Sequence, residues 1–437
     1  MTPGIAGPEF APPSKSTVRR IVISSSIGNA LEWYDFLVYG FFAPVIAKLF
    51  FPVHDQWISL LLAVGSFGVS FLTRPFGAIV LGLYADRKGR RASLTVSILL
   101  MVLATFMIAV MPAYSSIGLA APILVLLARL VQGFAVGGEF GSATAFMVEH
   151  SPNRRGYFAS WQFASQGLAA ISASAVGALL NTWLSHDQIV SWGWRLPFAL
   201  GLLVGPVGYY IRRHLDETPE FLLDKKQSAP ARAAVFDSQV ANLLVAVGIV
   251  AQSTVMVYVL QLYMPTYAVK ELGLSTAKSF GVVVLNGGLQ FLLSPLMGAL
   301  SDRIGRIRIM LTTSILMALT IYPMFHWLRD HPSIGWLMAL MALSGIFKAS
   351  YSGPMPALMS EIFPTRARST GLSLAYSLGV TVFGGFAPFI VTWFIGVTGD
   401  KLAPSYYVLA AAVISSIALV VVGLAMRRRA PAGALAA

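Results

Sequence analysis

Six ionisable side chains stand inside long apolar stretches of the chain: Glu32, Asp35, Arg74, Arg129, Glu139 and Lys348. A charged group near the centre of a bilayer costs roughly 2.5 to 3.5 kcal/mol on insertion scales, so six facing lipid would cost on the order of 15 to 20 kcal/mol. They must face one another, water or a bound solute. Glu32 and Asp35 are three residues apart and share one stripe of a helix with Gly28 and Tyr39. Two acids so placed in a low dielectric do not both ionise easily, which is the property a proton carrier needs. The alternative is a structural role, with either acid held by Asn29, Tyr34 or an arginine from another helix. Which of the two would carry a proton is left open.

The cations have the complementary chemistry. Arg129, Gln132, Val136 and Glu139 fall on one helical face, beside a track of small residues at Gly133, Gly137 and Gly141 that suits close helix packing. The planar five-donor fork of Arg129 can grip a carboxylate, or it can neutralise Glu32 or Asp35. Lys348 stands about 20 Å before Glu361 along its helix, with Tyr351, Ser352 and Met355 on its face. It can complete an anion clamp with Arg129 or snorkel along an aqueous vestibule. Arg74, about 18 Å from Asp86, reads as structural or as lining an inner cavity. Glu139 joins the two acids as a candidate for proton coupling. Neutral polar residues at helical spacing, Gln162 and Gln166, Tyr258 and Gln261, Asn286 and Gln290, are packing hydrogen bonds one by one and a cavity lining as a set. Arg195, beside Trp192 and Trp194, reads as an interfacial anchor.

The elements that position these residues follow from composition. Over 437 residues, 56% are hydrophobic and 11% charged, with a mean hydropathy of +0.72. That is more apolar matter than soluble cores use. Runs long enough to cross about 30 Å of hydrocarbon predict twelve helices over 20–49, 57–84, 92–112, 121–149, 156–183, 194–212, 239–268, 277–301, 308–328, 334–361, 367–395 and 405–426. Continuous apolar runs, not alternating ten-residue strands, exclude an outer-membrane barrel. The fold class is an all-α membrane protein.

The chain also repeats itself. Gly82-Leu83-Tyr84-Ala85-Asp86-Arg87-Lys88-Gly89-Arg90-Arg91 returns 216 residues later as Gly298-Ala299-Leu300-Ser301-Asp302-Arg303-Ile304-Gly305-Arg306-Ile307, and Glu149 to Gly156 is echoed from Glu361 at an offset of 212. Such a duplication predicts two six-helix bundles related by pseudo-symmetry, over 20–212 and 239–427. They are flanked by an N-terminal tail (1–19), a linker (213–238) and a C-terminal tail (428–437). Most of the 31 lysines and arginines fall on one side, which predicts cytoplasmic termini. The net charge of +13 is thereby a matter of topology, not of nucleic-acid binding.

Zero cysteine excludes disulfides and thiolate chemistry. The six histidines lack metal-ligand spacing, and no phosphate loop or nucleophile elbow is present. The expectation is no enzyme, no cofactor and no metal.

The repeated loop resembles the signature of the major facilitator superfamily, Gly-x-x-x-Asp-Arg/Lys-x-Gly-Arg-Arg/Lys. Within it, Gly28 to Phe36, Arg129 to Gly133 with Gly137-Gly138-Glu139, and Trp192 to Phe198 are similar to the metabolite:proton symporter family. The resemblance implies alternating access by two rocking halves, with Asp86, Arg87, Arg90, Asp302 and Arg306 as a gate. It implies proton coupling through Glu32, Asp35 and Glu139, and a substrate site drawn from Arg129, Lys348, Gln132, Tyr39, Tyr258, Gln261, Tyr351, Gln162 and Arg74. The expected partners are a small carboxylate, protons and the lipid bilayer, with the chain acting as a monomer in the bacterial inner membrane. The family's substrates span citrate and other tricarboxylates, α-ketoglutarate, shikimate, proline and betaine. Three intramembrane cations, and the likeness of Ser377 to Tyr407 to the citrate branch, favour a di- or tricarboxylate. A transport-inactive sensor and a passive uniporter are the alternatives of a different class.

Overall fold

The computed structural model describes residues 15–88, 90–149, 154–203, 205, 206, 208, 238–364 and 368–429. Twelve helical segments follow one another. In the first half, α1 (Lys15–Phe41) continues past a 62° bend as Ala43–Phe50, and α2 runs as Gln56–Leu72 and Arg74–Lys88. Next come α3 (Arg90–Val110), α4 (Ala120–Val136, then Glu139–Glu149), α5 (Arg155–Ala159, then Trp161–Trp183) and the described start of α6 (Arg195–Gly201). In the second half, α7 is Gln239–Val255, a π-helical stretch Met256–Tyr263, and Met264–Lys270; α8 is Thr276–Ile304 and α9 Arg306–Asp330. The chain continues with α10 (Ile334–Ser352, then Met355–Ile362), α11 (Arg368–Val380, a π turn Thr381–Gly385, then Ala387–Thr398) and α12 (Ala403–Arg429).

Among the described residues, nine helices are long and apolar enough to span a bilayer, and α1 with its bent continuation makes a tenth. The 21-residue α3, about 31 Å long, and α6 complete the expected set. The excess length of the first predicted span is taken up by the bend, not by tilt alone. Of the expected tails and linker, residues 1–14, 213–237 and 430–437 fall outside the described residues, while 15–19 belong to α1 and 428–429 to α12.

In the first half α1 packs on α5, and α4 on both α2 and α3; in the second, α7 packs on α11 and α12, α8 on α10, and α9 on α12. The halves meet along α5 with α8 and along α11 with α2 and α4. Glycine makes both kinds of approach possible. A Cβ at Gly133 or Gly137 would run into the Ser70 or Arg74 carbonyl of α2, and one at Gly167 would lie 2.7 Å from the Gly287 carbonyl across the halves. The outer surface carries Leu103, Phe106, Leu296, Leu319 and Ile417, each at least half exposed, as a lipid-facing belt requires.

Candidate functional site

The chemistry converges where α1, α2 and α4 cross. Arg129 and Gln132 are wholly buried and Asp35 is 1% exposed. One turn apart on α4, Arg129 Nη1 donates to Gln132 Oε1 (2.6 Å), and Gln132 Nε2 donates in turn to Asp35 Oδ2 and to Thr105 Oγ1 (3.2 Å). A single amide therefore bridges a buried carboxylate and a buried guanidinium. Arg129 Nη2 donates to Ser70 Oγ (3.1 Å), and its Cζ lies 4.3 Å from the ring centroid of Tyr39 and 5.0 Å from those of Phe36 and Phe67. Tyr39 Oη meets Ser66 Oγ at 2.6 Å, which fixes the ring beneath the cation. Asp35 Oδ1 and Arg129 Nε are buried with no hydrogen-bond partner among the described residues. A network open at both charged ends is where a proton or an anion has most to gain.

Glu32, one turn before Asp35, goes elsewhere. Its carboxylate stands 3.9 Å from Arg74 Nη2 on α2. Arg74 is 3% exposed and stacks over Phe36 and Phe71 at 5.2 and 5.0 Å. Its Nε and Nη1 have no hydrogen-bond partner among the described residues. The two acids thus part into separate acid and arginine sets, although their spacing put them on one stripe. A narrow gap between the halves, about 10 Å³ and so with room for little more than one water, is lined by Glu32, Arg74, Glu139, Asn29, Gln162 and Tyr376. Asn29 Nδ2 donates to Gln162 O (2.8 Å) and Ser165 Oγ (2.7 Å), tying α1 to α5 beside it. Tyr258 closes the aromatic wall, 5.3 Å from Phe71 and 5.8 Å from Phe67.

The second half contributes Lys348, 1% exposed on α10. Its Nζ donates to Gln261 Oε1, in the π-helical stretch of α7, and meets no carboxylate among the described residues. Gln261 Nε2 donates to Asn286 Oδ1 (3.2 Å) and Gln290 Oε1 (3.3 Å), and Gln290 Nε2 reaches Phe163 O (2.8 Å) on α5. A widened turn of this kind re-aims side chains and is frequent at functional sites. Tyr351 turns away from Lys348 to donate to Ile249 O (2.8 Å). No contact joins Lys348 to Arg129, so the expected pair of cations is not in one clamp here.

The ends of the helices hold the halves together. Asp302 accepts from Gly156 N (2.9 Å) and Tyr157 N (3.1 Å), capping the start of α5 from the other half, and from Arg306 Nη2 (3.0 Å). Arg306 Nη1 pairs with Glu361 at 2.8 Å. An acid at a helix N-terminus is favoured by the exposed N–H groups and the macrodipole. The side chains of Asp86, Arg87 and Arg90 lie outside the described residues. At the far end Trp57 Nε1 donates to Thr392 O (3.2 Å), so bonds cross between the halves at both ends. Arg195 packs over Trp194 at 4.5 Å and donates to Met111 O (3.1 Å), as an anchor would.

Ser70, Thr105 and the cage of Phe36, Phe67 and Phe71 escaped the sequence reading. A signal existed: 67, 70, 71 and 74 form one face of α2 that ends in an arginine.

The chain is similar to known proteins over most of its length. The sugar (and other) transporter family matches residues 21–242, and the major facilitator superfamily matches residues 279–436. The citrate-proton symporter of Salmonella typhi is 40% identical over 395 residues, covering 90% of this chain and 91% of that protein. The chain belongs to the major facilitator superfamily. A further relative in this superfamily, the proline/betaine transporter of Escherichia coli (strain K12), is 33% identical over 416 residues, covering 92% and 82%. Among solved structures, the partially occluded inward-open xylose transporter XylE from E. coli superposes with a TM-score of 0.74 at 15% identity, over 95% of this chain and 98% of that one. That likeness fixes the fold. The relatives are transporters, and the chain is a multi-pass membrane protein of their kind.

Proposed function

We propose that this chain is a proton-coupled symporter of the bacterial inner membrane that imports a small organic acid, a di- or tricarboxylate such as citrate, by alternating access. The observation that carries the reading is the buried run from Asp35 through Gln132 to Arg129. Protonating Asp35 leaves Arg129 a buried cation without a counter-charge, which costs several kcal/mol. An anionic substrate supplies that charge and fits the open Nε edge of the fork. Proton and anion therefore favour each other's binding, and the coupling is reciprocal. Once the site opens to the other side, loss of the proton restores the Asp35 charge, Gln132 re-forms the bridge, and the substrate is released.

Glu32 with Arg74 offers a second pair of the same logic, and Glu139 shares its gap. Lys348 comes from the opposite half with only an amide partner, so a second carboxylate on the substrate would complete its charge as the halves close. Three buried cations favour a polyacid over a zwitterion such as proline or betaine. Gln132 and Gln261 hold the cations between cycles, while Tyr39, Tyr258, Tyr351 and Gln162 shape the walls. Asp302 and Arg306 act as one half of the gate, with Asp86, Arg87 and Arg90 as its counterpart. We place that end in the cytoplasm, with 20–212 and 239–427 as the moving bodies of a functional monomer.

Uptake of labelled citrate, α-ketoglutarate, shikimate and proline into proteoliposomes, with and without an imposed pH gradient, tests this. Citrate uptake driven by an inward proton gradient is expected. Uptake indifferent to the gradient would remove the symport reading, and preference for proline would remove the polyacid one.

A further inference from the structure

The second copy of the signature differs from the first in a way that the gate does not need. Where the first reads Asp86-Arg87-Lys88-Gly89-Arg90-Arg91, the second reads Asp302-Arg303-Ile304-Gly305-Arg306-Ile307-Arg308, with isoleucine replacing two cations. Those isoleucines line a groove of about 660 Å³ between the α8–α9 turn and the ends of α10 and α12. Arg303, Arg308 and Arg427 rim it, all exposed. Arg306 also lines it but is committed to Asp302 and Glu361. The three rim arginines meet no carboxylate among the described residues.

The floor is apolar: Val420 and Leu424 on α12 are 45% and 53% exposed. From Val420 to Arg427 is about 10 Å along the helix, so the groove descends from a cationic mouth into the depth occupied by acyl chains. We propose that this groove binds an anionic phospholipid, its phosphate among Arg303, Arg308 and Arg427 and one acyl chain along Ile307, Val420 and Leu424. Basic pockets between helices at a membrane surface suit such headgroups, and an acyl chain leaves no polar group unsatisfied on the apolar floor. A peptide segment there would bury backbone N–H and C=O groups without partners.

Native mass spectrometry of the full chain, released from nanodiscs of phosphatidylethanolamine and phosphatidylglycerol, tests this. Wild-type protein should retain phosphatidylglycerol over phosphatidylethanolamine. The double variant Arg303→Gln/Arg308→Gln should lower that retention roughly 25-fold, about fivefold for each arginine. Lys278→Gln, a cation lost at the far end of α8, should leave it unchanged. Val420→Trp should lower retention with every arginine intact, and millimolar inorganic phosphate should not displace the lipid. Equal retention of both lipids, an unaffected double variant, or an unaffected Val420→Trp would overturn the proposal. Displacement by free phosphate would reduce it to an ion site.

Discussion

Asp35→Asn separates charge from shape at the centre of the site. Asparagine keeps an acceptor oxygen for Gln132 Nε2, so the bridge to Arg129 can persist. Exchanging a charge-assisted for a neutral hydrogen bond costs about 1 kcal/mol, and the fold should survive it. What disappears is the proton. One pH unit is worth about 1.4 kcal/mol per proton, so each carboxylate that titrates in the cycle supports about tenfold accumulation per unit of gradient when the membrane potential is clamped. In proteoliposomes the variant should lose that factor of ten entirely while still exchanging labelled for unlabelled substrate. Its binding should also lose its pH dependence. In the wild type the protonated form binds the anion better, so affinity rises as pH falls and declines as pH rises. In the variant, a permanent mimic of the protonated state, affinity should be flat and high. A variant that still accumulates substrate tenfold per pH unit would refute Asp35 as the carrier and shift the role to Glu32.

Three further outcomes follow from the same geometry. Lys348→Met replaces a buried cation by an apolar side chain of similar length, which should leave thermal stability unchanged or raise it by about 1 to 4 kcal/mol. The same change should weaken a tricarboxylate at least as much as a lost charge-assisted hydrogen bond, roughly tenfold or more, and spare a monocarboxylate, read by isothermal titration. Asp302→Asn removes the charge that caps α5 and pairs with Arg306, worth about 1 kcal/mol. In this cysteine-free chain, Ser160→Cys at that seam should then react with a maleimide about fivefold faster. Gly137→Ala should destabilise by about 1 to 3 kcal/mol in thermal unfolding because its Cβ meets the α2 backbone. Gly288→Ala, with open space around it, should not.

The helices and their duplication were legible because hydropathy and a repeated ten-residue motif are properties of the chain alone. So was the glycine track of α4, since Gly133 and Gly137 need a partner backbone whichever helix supplies it. The acid pair was legible as chemistry but not as wiring. Glu32 and Asp35 differ by only about 60° around α1, and that turn decides between Arg74 and Gln132, a choice made by where α2 and α4 lie. Lys348 was found by its cost in the membrane, yet its partner Gln261 depends on a π-helical stretch in α7 that no periodicity announces. Thr105 carried no signal, being an ordinary hydroxyl in an apolar helix, and Ser70 carried only its place on the α2 face that ends in Arg74. Their role exists only because α2, α3 and α4 converge on Arg129.

The central claim is that anion and proton cross together. Adding citrate to lightly buffered, potential-clamped proteoliposomes with no initial pH gradient, and following external pH, tests it most directly. The account predicts alkalinisation of the medium in step with citrate entry for the wild type, and citrate exchange with no pH change for Asp35→Asn. Citrate entry into wild-type vesicles without proton movement would contradict it.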